Sequence, residues 1–201
     1  MHYQPPTEVA RRGASIGLGP FLYVDGFLGK HGASRLLSHC LSALDWQQEG
    51  IELFGRTTAM PRLTTCYSDS GCSYRYSGLR RYGIAWTEEL SATRDLLVRE
   101  VGALFNYMLG NRYRSGADCV GWHSDDETDL GDEPVIASLS LGATRRFRVR
   151  CRSAPASVGL DLTHGSLLIM WGLSQQDFKH CLTRTRRAVG ERVNLSFRLV
   201  A

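Results

Sequence analysis

The chain has 201 residues, 43% of them hydrophobic, which suits one domain with a sizeable buried core. Its formal net charge is only +4, and no apolar run approaches the ~20 residues of a membrane span, which argues against a membrane partner. Six cysteines (Cys40, Cys66, Cys72, Cys119, Cys151 and Cys181) show no CxxC spacing, which argues against a structural zinc site or a disulfide scaffold.

Residues 1–20 are rich in Pro, Gly and Arg and are expected to form a loose arm. Arg11 and Arg12 lead into a Gly-rich stretch with no apolar leader, so the expected location is the cytosol, or the nucleus in a eukaryote. Residues 21–201 are read as a single domain. Leu36, Leu37, Cys40, Leu41 and Leu44 recur at helical spacing and predict a helix over 30–47. A second helix is predicted from about Glu88 to Leu104. Thr87 is its N-cap, Glu88 and Glu89 lie in its first turn, and Leu90, Leu97, Val101 and Leu104 share one face.

The rest reads mostly as strands: FNYMLGNRY (105–113), VIASLSLG (135–142), RRFRVRC (145–151), SLLIMW (166–171) and RVNLSFRLV (192–200). In RRFRVRC, Phe147, Val149 and Cys151 alternate with Arg146, Arg148 and Arg150, as on a strand with one buried face. Two early helices followed by many short strands predict an α+β fold, a β-sandwich or jelly roll backed by helices. Two basic groups stand out, Arg145, Arg146, Arg148, Arg150 and Arg152, and then Lys179, Arg184, Arg186 and Arg187. Such groups can face nucleic acid, although a solvated surface is the usual role.

The segment GWHSDDETDL (121–130) places one imidazole among several acids, which is costly in a buried setting without a compensating cation. On an extended chain, residues i and i+2 project from one face, so His123 and Asp125 converge while Ser124 looks away. With a second histidine, that face becomes the two-histidine, one-carboxylate set that suits non-heme Fe(II) and leaves positions open for cosubstrate and O2. His2 lies in the arm, and His31 and His39 in the first helix. His164 before GSLLIMW reads as a turn or core histidine, and His180 opens a strand-like run that a sandwich could bring back beside His123.

In the final strand Arg192, Asn194, Ser196 and Arg198 alternate with Val193, Leu195, Phe197 and Leu199. Two arginines about six residues apart, a reach of roughly 20 Å, on an otherwise core-like strand call for anionic partners. A dicarboxylate cosubstrate would supply one, and a solvated outer face is the alternative. Asn111 and Tyr113, also i and i+2, could hydrogen-bond the same ligand.

NRYRSGADCVGWHSDDE, IASLSLGATRRF, HGSLLIMWG and RVNLSFR, in this order, resemble the AlkB family of Fe(II)- and 2-oxoglutarate-dependent nucleic-acid dealkylases, especially the branch with the human homologues acting on DNA. The resemblance is close over 105–198 and looser over 50–90, and it leaves 1–20 without a counterpart. It implies a double-stranded β-helix (jelly roll) with supporting N-terminal helices, a nucleotide-recognition hairpin region at about 50–90 and a catalytic core at 105–200. It further implies that His123, Asp125 and His180 bind Fe(II). Arg192 and Arg198 would hold 2-oxoglutarate, with Asn111, Tyr113, Asn194 and Ser196 completing its pocket. Asp126 and Glu127 resemble the acidic pair that senses a cationic damaged base. MPRLTTCYSDSGCSYRYSG resembles the nucleotide-recognition segment, with Tyr74 and Tyr76 stacking on an extruded base and Arg62 nearby, and IELFGRT resembles the loop whose apolar residue, here Phe54 beside Gly55, wedges into duplex DNA.

The implied reaction is oxidative dealkylation of N-alkylated bases, with O2 and decarboxylation of 2-oxoglutarate to succinate, by a monomer acting on alkylated DNA. The alternatives are the same chemistry on RNA or a protein side chain, and a nucleic-acid-binding module without activity.

Overall fold

The computed structural model describes residues 2–53, 56–76 and 79–201, with the backbone alone at 51–53, 56–57, 74–76 and 79–80. Its elements begin with α1 (Thr7–Arg12), β1 (Ala14–Ser15), β2 (Phe21–Val24) and α2 (Gly29–Ala43). There follow β3 (Gly50–Leu53), β4 (Arg56–Ala59), β5 (Leu63–Ser68), β6 (Ser73–Tyr76), β7 (Leu79–Tyr82), β8 (Ile84–Ala85) and α3 (Glu88–Val101). The second half comprises β9 (Tyr107–Tyr113), β10 (Val120–His123), β11 (Ile136–Gly142), β12 (Arg145–Cys151), β13 (Val158–Leu162), β14 (Ser166–Met170), α4 (Ser174–Asp177), β15 (Phe178–Leu182) and β16 (Arg192–Arg198).

Both predicted helices form, although α2 ends at Ala43 and not at residue 47 as expected. On α2, Leu36 and Cys40 are buried, and Leu44 just beyond its end is too. Thr87 caps α3 by accepting a hydrogen bond from the Leu90 backbone N–H at 3.2 Å, and Glu88 and Glu89 sit near the positive end of the helix. Gly102, at φ 71°, takes the left-handed conformation that closes a helix, and its N–H bonds the Val98 carbonyl. The helix therefore stops at Val101, and Leu104, expected on the buried face, is 67% exposed.

Two sheets face each other. The larger runs β1-β2-β14-β11-β16-β9-β5-β8 and the smaller β10-β15-β12-β13. Helices α2 and α3 cover the outer face of the larger sheet, where Leu36, Leu90 and Leu97 share a core with Leu139, Ile169, Val193, Leu195 and Phe197. A second core between the sheets holds Phe21, Ile136, Phe147, Val149, Leu168, Met170 and Leu182. This is the helix-backed jelly roll expected. The central strand β16 is thus buried on both faces, and all seven of its residues are buried. Its polar residues point into the sandwich and are not solvated. Leu199, just past its end, is 50% exposed and does not continue the core pattern.

Of residues 1–20, expected as a loose arm, the described ones (2–20) pack against the domain. Val9 of α1 is fully buried, the Tyr3 hydroxyl donates to the Val101 carbonyl at 2.7 Å, and β1 pairs with β2. The amphipathic turn TEVARR supplies one apolar anchor that composition alone conceals.

Within the segment 50–90, β5 and β8 join the edge of the larger sheet, while β3–β4 and β6–β7 form two antiparallel pairs outside both sheets. They are tied together at the base, where Arg81 at the end of β7 donates from Nε to Glu49 Oε1 at 2.8 Å and from Nη2 to Glu49 Oε2. Among the described residues no helix is long and apolar enough to cross a membrane, and the six cysteines are free thiols.

Candidate metal centre and cosubstrate pocket

Strands β10 and β15 pair antiparallel with His123 directly opposite His180, so two histidines 57 positions apart in sequence become cross-strand neighbours. Their ring centroids are 4.3 Å apart. Asp125, two residues past the end of the register, turns its Oδ1 to 3.6 Å from His123 Nε2. One ligand-capable atom from each of the three lies within 4.8 Å of the others. His123 Nδ1 lies 2.9 Å from the Gly121 carbonyl. A carbonyl only accepts, so the proton sits on Nδ1 and the Nε2 lone pair is left for a metal. Burial, reinforced by His123, pushes the His180 imidazole down to about 3, so it is neutral at physiological pH, as a ligand must be.

Burial alone would raise the Asp125 carboxyl, but Arg198, His123, His180 and Arg62 together hold it below the usual carboxylate range. Arg198 Nη2 is 3.2 Å from Asp125 Oδ2, and both side chains are buried. An arginine expected to face the cosubstrate thus also orients the carboxylate. The Asp125 backbone is held as well: its N–H donates to Gln175 Oε1 at 3.0 Å. On either side, Ser124 Oγ donates to the Phe178 carbonyl at 2.8 Å, and Arg152 Nη2 reaches Ser124 Oγ at 2.9 Å and Asp126 Oδ2 at 2.5 Å. The segment bearing Asp125 is therefore fastened to the strand bearing His180. Gln175 and Arg152 escaped the sequence reading because no spacing rule links them to HxD.

Gln175 is 1% exposed, and its reach to the Asp125 N–H implies a measurable role in metal affinity. Gln175→Met keeps the volume and removes the acceptor, so Mn(II) affinity by calorimetric titration is expected to fall about tenfold, at the lower end for outer-shell partners. Gln175→Glu, which keeps an acceptor of the same reach, should recover most of it. Equal losses in both variants would make Gln175 a packing residue only.

The two imidazoles and Asp125 open into one cavity, whose lining also includes Asn111, Tyr113, Arg192, Asn194, Ser196 and Arg198. Arg192 is 2% exposed; it donates to Ser140 Oγ at 2.9 Å and lies 5.1 Å over the Tyr113 ring. Among the described residues no carboxylate pairs with it, its Nε has no hydrogen-bond partner, and burial pulls its pKa down to about 10. A buried cation without an anion is costly. The remaining polar groups are arranged around it. Asn194 Nδ2 donates to Ser138 Oγ and the Leu139 carbonyl, Ser196 Oγ donates to Asn194 Oδ1, and Asn111 Oδ1 accepts from Arg62 Nε at 2.7 Å. A pocket with one unneutralised guanidinium, next to a face of two neutral imidazoles and a carboxylate, fits Fe(II) and a dicarboxylate such as 2-oxoglutarate.

The other expected residues distribute unevenly. His164 accepts from the Gly142 backbone N–H at 2.9 Å, as a turn histidine would, and does not line the cavity. Arg62, expected beside an extruded base, is buried behind Asn111. Asp126 is exposed and engaged by Arg152, whereas Glu127 is half-buried and, with Asp125 and Asp132, lines an adjacent acidic cavity. Tyr74 and Tyr76 lie on the β6 backbone, with their side chains outside the described residues, as are Phe54 and Gly55 entirely. Arg145, grouped with a surface cluster in the sequence, is buried and donates to the carbonyls of Ser115, Asp118 and Thr183.

A family model described as the 2OG-Fe(II) oxygenase superfamily matches residues 20–198. DNA oxidative demethylase ALKBH2 of Mus musculus is 36% identical to this chain, over 75% of this chain and 66% of that protein. The Arabidopsis thaliana protein of the same name is 32% identical, over 95% and 70%. Alpha-ketoglutarate-dependent dioxygenase alkB homolog 3 of Homo sapiens is 36% identical, over 87% and 64%. The chain thus spans about two thirds of the length of these relatives. The solved structure titled "The structure of OsALKBH1" superposes with a TM-score of 0.62 at 19% identity, covering 90% of this chain and 98% of that one. A 2OG-Fe(II) oxygenase family oxidoreductase from Burkholderia pseudomallei gives 0.62 at 14% identity, over 89% and 84%, and both likenesses are of fold. With the family model spanning most of the jelly roll and relatives above 30% identity along it, the chain belongs to the AlkB family of the 2OG-Fe(II) oxygenase superfamily, enzymes that use Fe(II), 2-oxoglutarate and O2.

Proposed function

We propose that this protein oxidatively dealkylates N-alkylated bases in DNA, with His123, Asp125 and His180 as the iron ligands. The observation that carries the reading is the opening of that three-residue face and of the unneutralised Arg192 into one cavity. The relatives' names, DNA oxidative demethylase among them, support the substrate. Bound iron supplies the oxidising chemistry: O2 and 2-oxoglutarate become succinate and CO2 while one oxygen atom enters the alkyl C–H bond, and the hydroxyalkyl group then leaves as an aldehyde.

The protein's own part is positioning. His123 and His180 offer ring nitrogens from adjacent strands, while Arg198 holds Asp125 through Oδ2, so that Oδ1 would remain to bind the metal. Arg192 takes the distal carboxylate of 2-oxoglutarate, and Asn111, Tyr113, Asn194 and Ser196 complete the pocket around it. On the substrate side Asp126 and Glu127, next to the metal face, are the acidic pair that meets a cationic base, and Arg152 holds Asp126 in place. Tyr74, Tyr76, Phe54 and Gly55 are assigned to the nucleic acid on the family resemblance alone, and Arg62 acts from behind Asn111. A stacked base cannot reach so enclosed a centre, so the target is unpaired or flipped out at a cost of a few kcal/mol, least for a damaged base.

The test is incubation with a methylated single-stranded DNA, Fe(II) and 2-oxoglutarate, followed by mass spectrometry of the oligonucleotide and assay of succinate. Demethylated product in step with succinate is the expected result. Coupled turnover only on an RNA or a peptide of matched modification would overturn the DNA assignment, and succinate formation on none of them would overturn the activity.

A further inference from the structure

The structure sorts the five arginines of TRRFRVRCR into distinct roles. Arg145 is buried, Arg146 pairs with Asp161 at 3.1 Å and Arg152 pairs with Asp126. Arg148 and Arg150 remain. They project from β12 on the side away from Phe147 and Val149, so they stand on the outer face of the smaller sheet. Lys179 joins them there from β15, because its neighbours Phe178 and His180 point into the sandwich. In register Arg150 lies directly opposite Lys179, and Arg148 opposite Cys181.

Like charges directly opposite on neighbouring strands destabilise a sheet, and a surface strand ordinarily relieves them with an acid. No acid does so here. Among the described residues none of Arg148, Arg150 and Lys179 forms an ion pair with a carboxylate, including Asp177 two residues before Lys179. Arg148 has only the hydroxyl of Ser157 as a hydrogen-bond acceptor, and the Arg150 guanidinium lies 4.5 Å over the Trp122 ring, which holds it in place without neutralising it. The result is three cations on one sheet face, one of them pre-oriented on an aromatic ring, with neutralised arginines at either end.

We infer that this outer face, Arg148, Arg150 and Lys179 with Trp122, is a docking surface for the phosphate backbone of a nucleic-acid strand, distinct from the cavity that receives the base. The inference extends the proposed function and rests on it only for the identity of the strand. Phosphates spaced along a strand match cations spaced along two strands of a sheet and remove the Arg150–Lys179 repulsion on binding, with counterion release as the driving force. Because the face lies on the back of the metal-bearing sheet, it holds strand flanking the target base and contributes affinity without touching the chemistry.

The test compares the triple variant Arg148→Gln, Arg150→Gln, Lys179→Gln with a control of equal charge change on the opposite side, Arg11→Gln, Lys30→Gln, Arg35→Gln. Anisotropy of a labelled single-stranded DNA is followed across a salt series. Three lost phosphate contacts at roughly 0.7 each should lower the log–log salt slope by about 2 in the triple variant, and the control should keep the wild-type slope. Turnover of a methylated trinucleotide, too short to reach the outer face, should stay within about twofold of wild type, as expected when phosphate contacts position and do not react. An unchanged slope in the triple variant, or an equal fall in the control, would overturn the inference and return the face to simple solvation. Failure of the dealkylase reading looks different: wild-type protein would bind the strand with a slope that the triple variant lowers, yet release no dealkylated product.

Discussion

Replacing His180 with alanine should abolish succinate formation altogether. His180 is 4% exposed, stands opposite His123 across the β10–β15 pair and is held neutral by its burial. Its loss removes one of three donors from a face that has no spare: among the described residues His123, Asp125 and His180 form the only group able to hold a metal. The Mn(II)-induced rise in melting temperature should vanish with the activity. The metal-free variant should lose about 1–3 kcal/mol of stability at most, because the vacated space adjoins an existing cavity and Phe147 can settle into it. Retained turnover would displace His180 from the ligand set. His164 is then the histidine to examine, although its Nδ1 already accepts from Gly142.

Arg192→Met separates function from stability in opposite directions. The guanidinium is buried and, among the described residues, has hydroxyl partners but no carboxylate, so the metal-free, cosubstrate-free protein carries an uncompensated charge. Methionine fills similar volume without that charge, and the melting temperature of the empty protein should stay level or rise. The 2-oxoglutarate requirement should climb, since a charge-assisted carboxylate contact contributes about 1.5–3 kcal/mol, or roughly 10- to 100-fold in affinity. Binding of 2-oxoglutarate at wild-type affinity, with oligonucleotide affinity lost instead, would move Arg192 from the pocket to a phosphate-binding role.

These two results probe what local pattern reveals least. The helices α2 and α3 and the strands β9, β11, β12, β14 and β16 were legible because their signals are local: apolar spacing of 3.6 or 2, a threonine cap, turn residues at the ends. The end of α3 was misjudged by three residues, where the left-handed Gly102 outweighed the apolar Leu104. The HxD pair was legible for the same local reason, since alternation alone puts His123 and Asp125 on one side of an extended chain.

By itself the sequence determined the α+β class, the elements that build the sandwich, the HxD face and, through several motifs in register, the family. Which histidine completes that face, and whether β16 shows its arginines to water or to the interior, depends on pairings between residues far apart in the chain. The tertiary structure brings His180 beside His123 by setting β15 against β10, and it turns the arginines of β16 inward by covering that strand with helices on one side and the smaller sheet on the other. It also decided which arginines of one short run are buried, paired or left unneutralised, because charge becomes informative only once its neighbours in space are known. The reason is physical: a strand's alternation defines two faces, but only long-range packing says what each face meets.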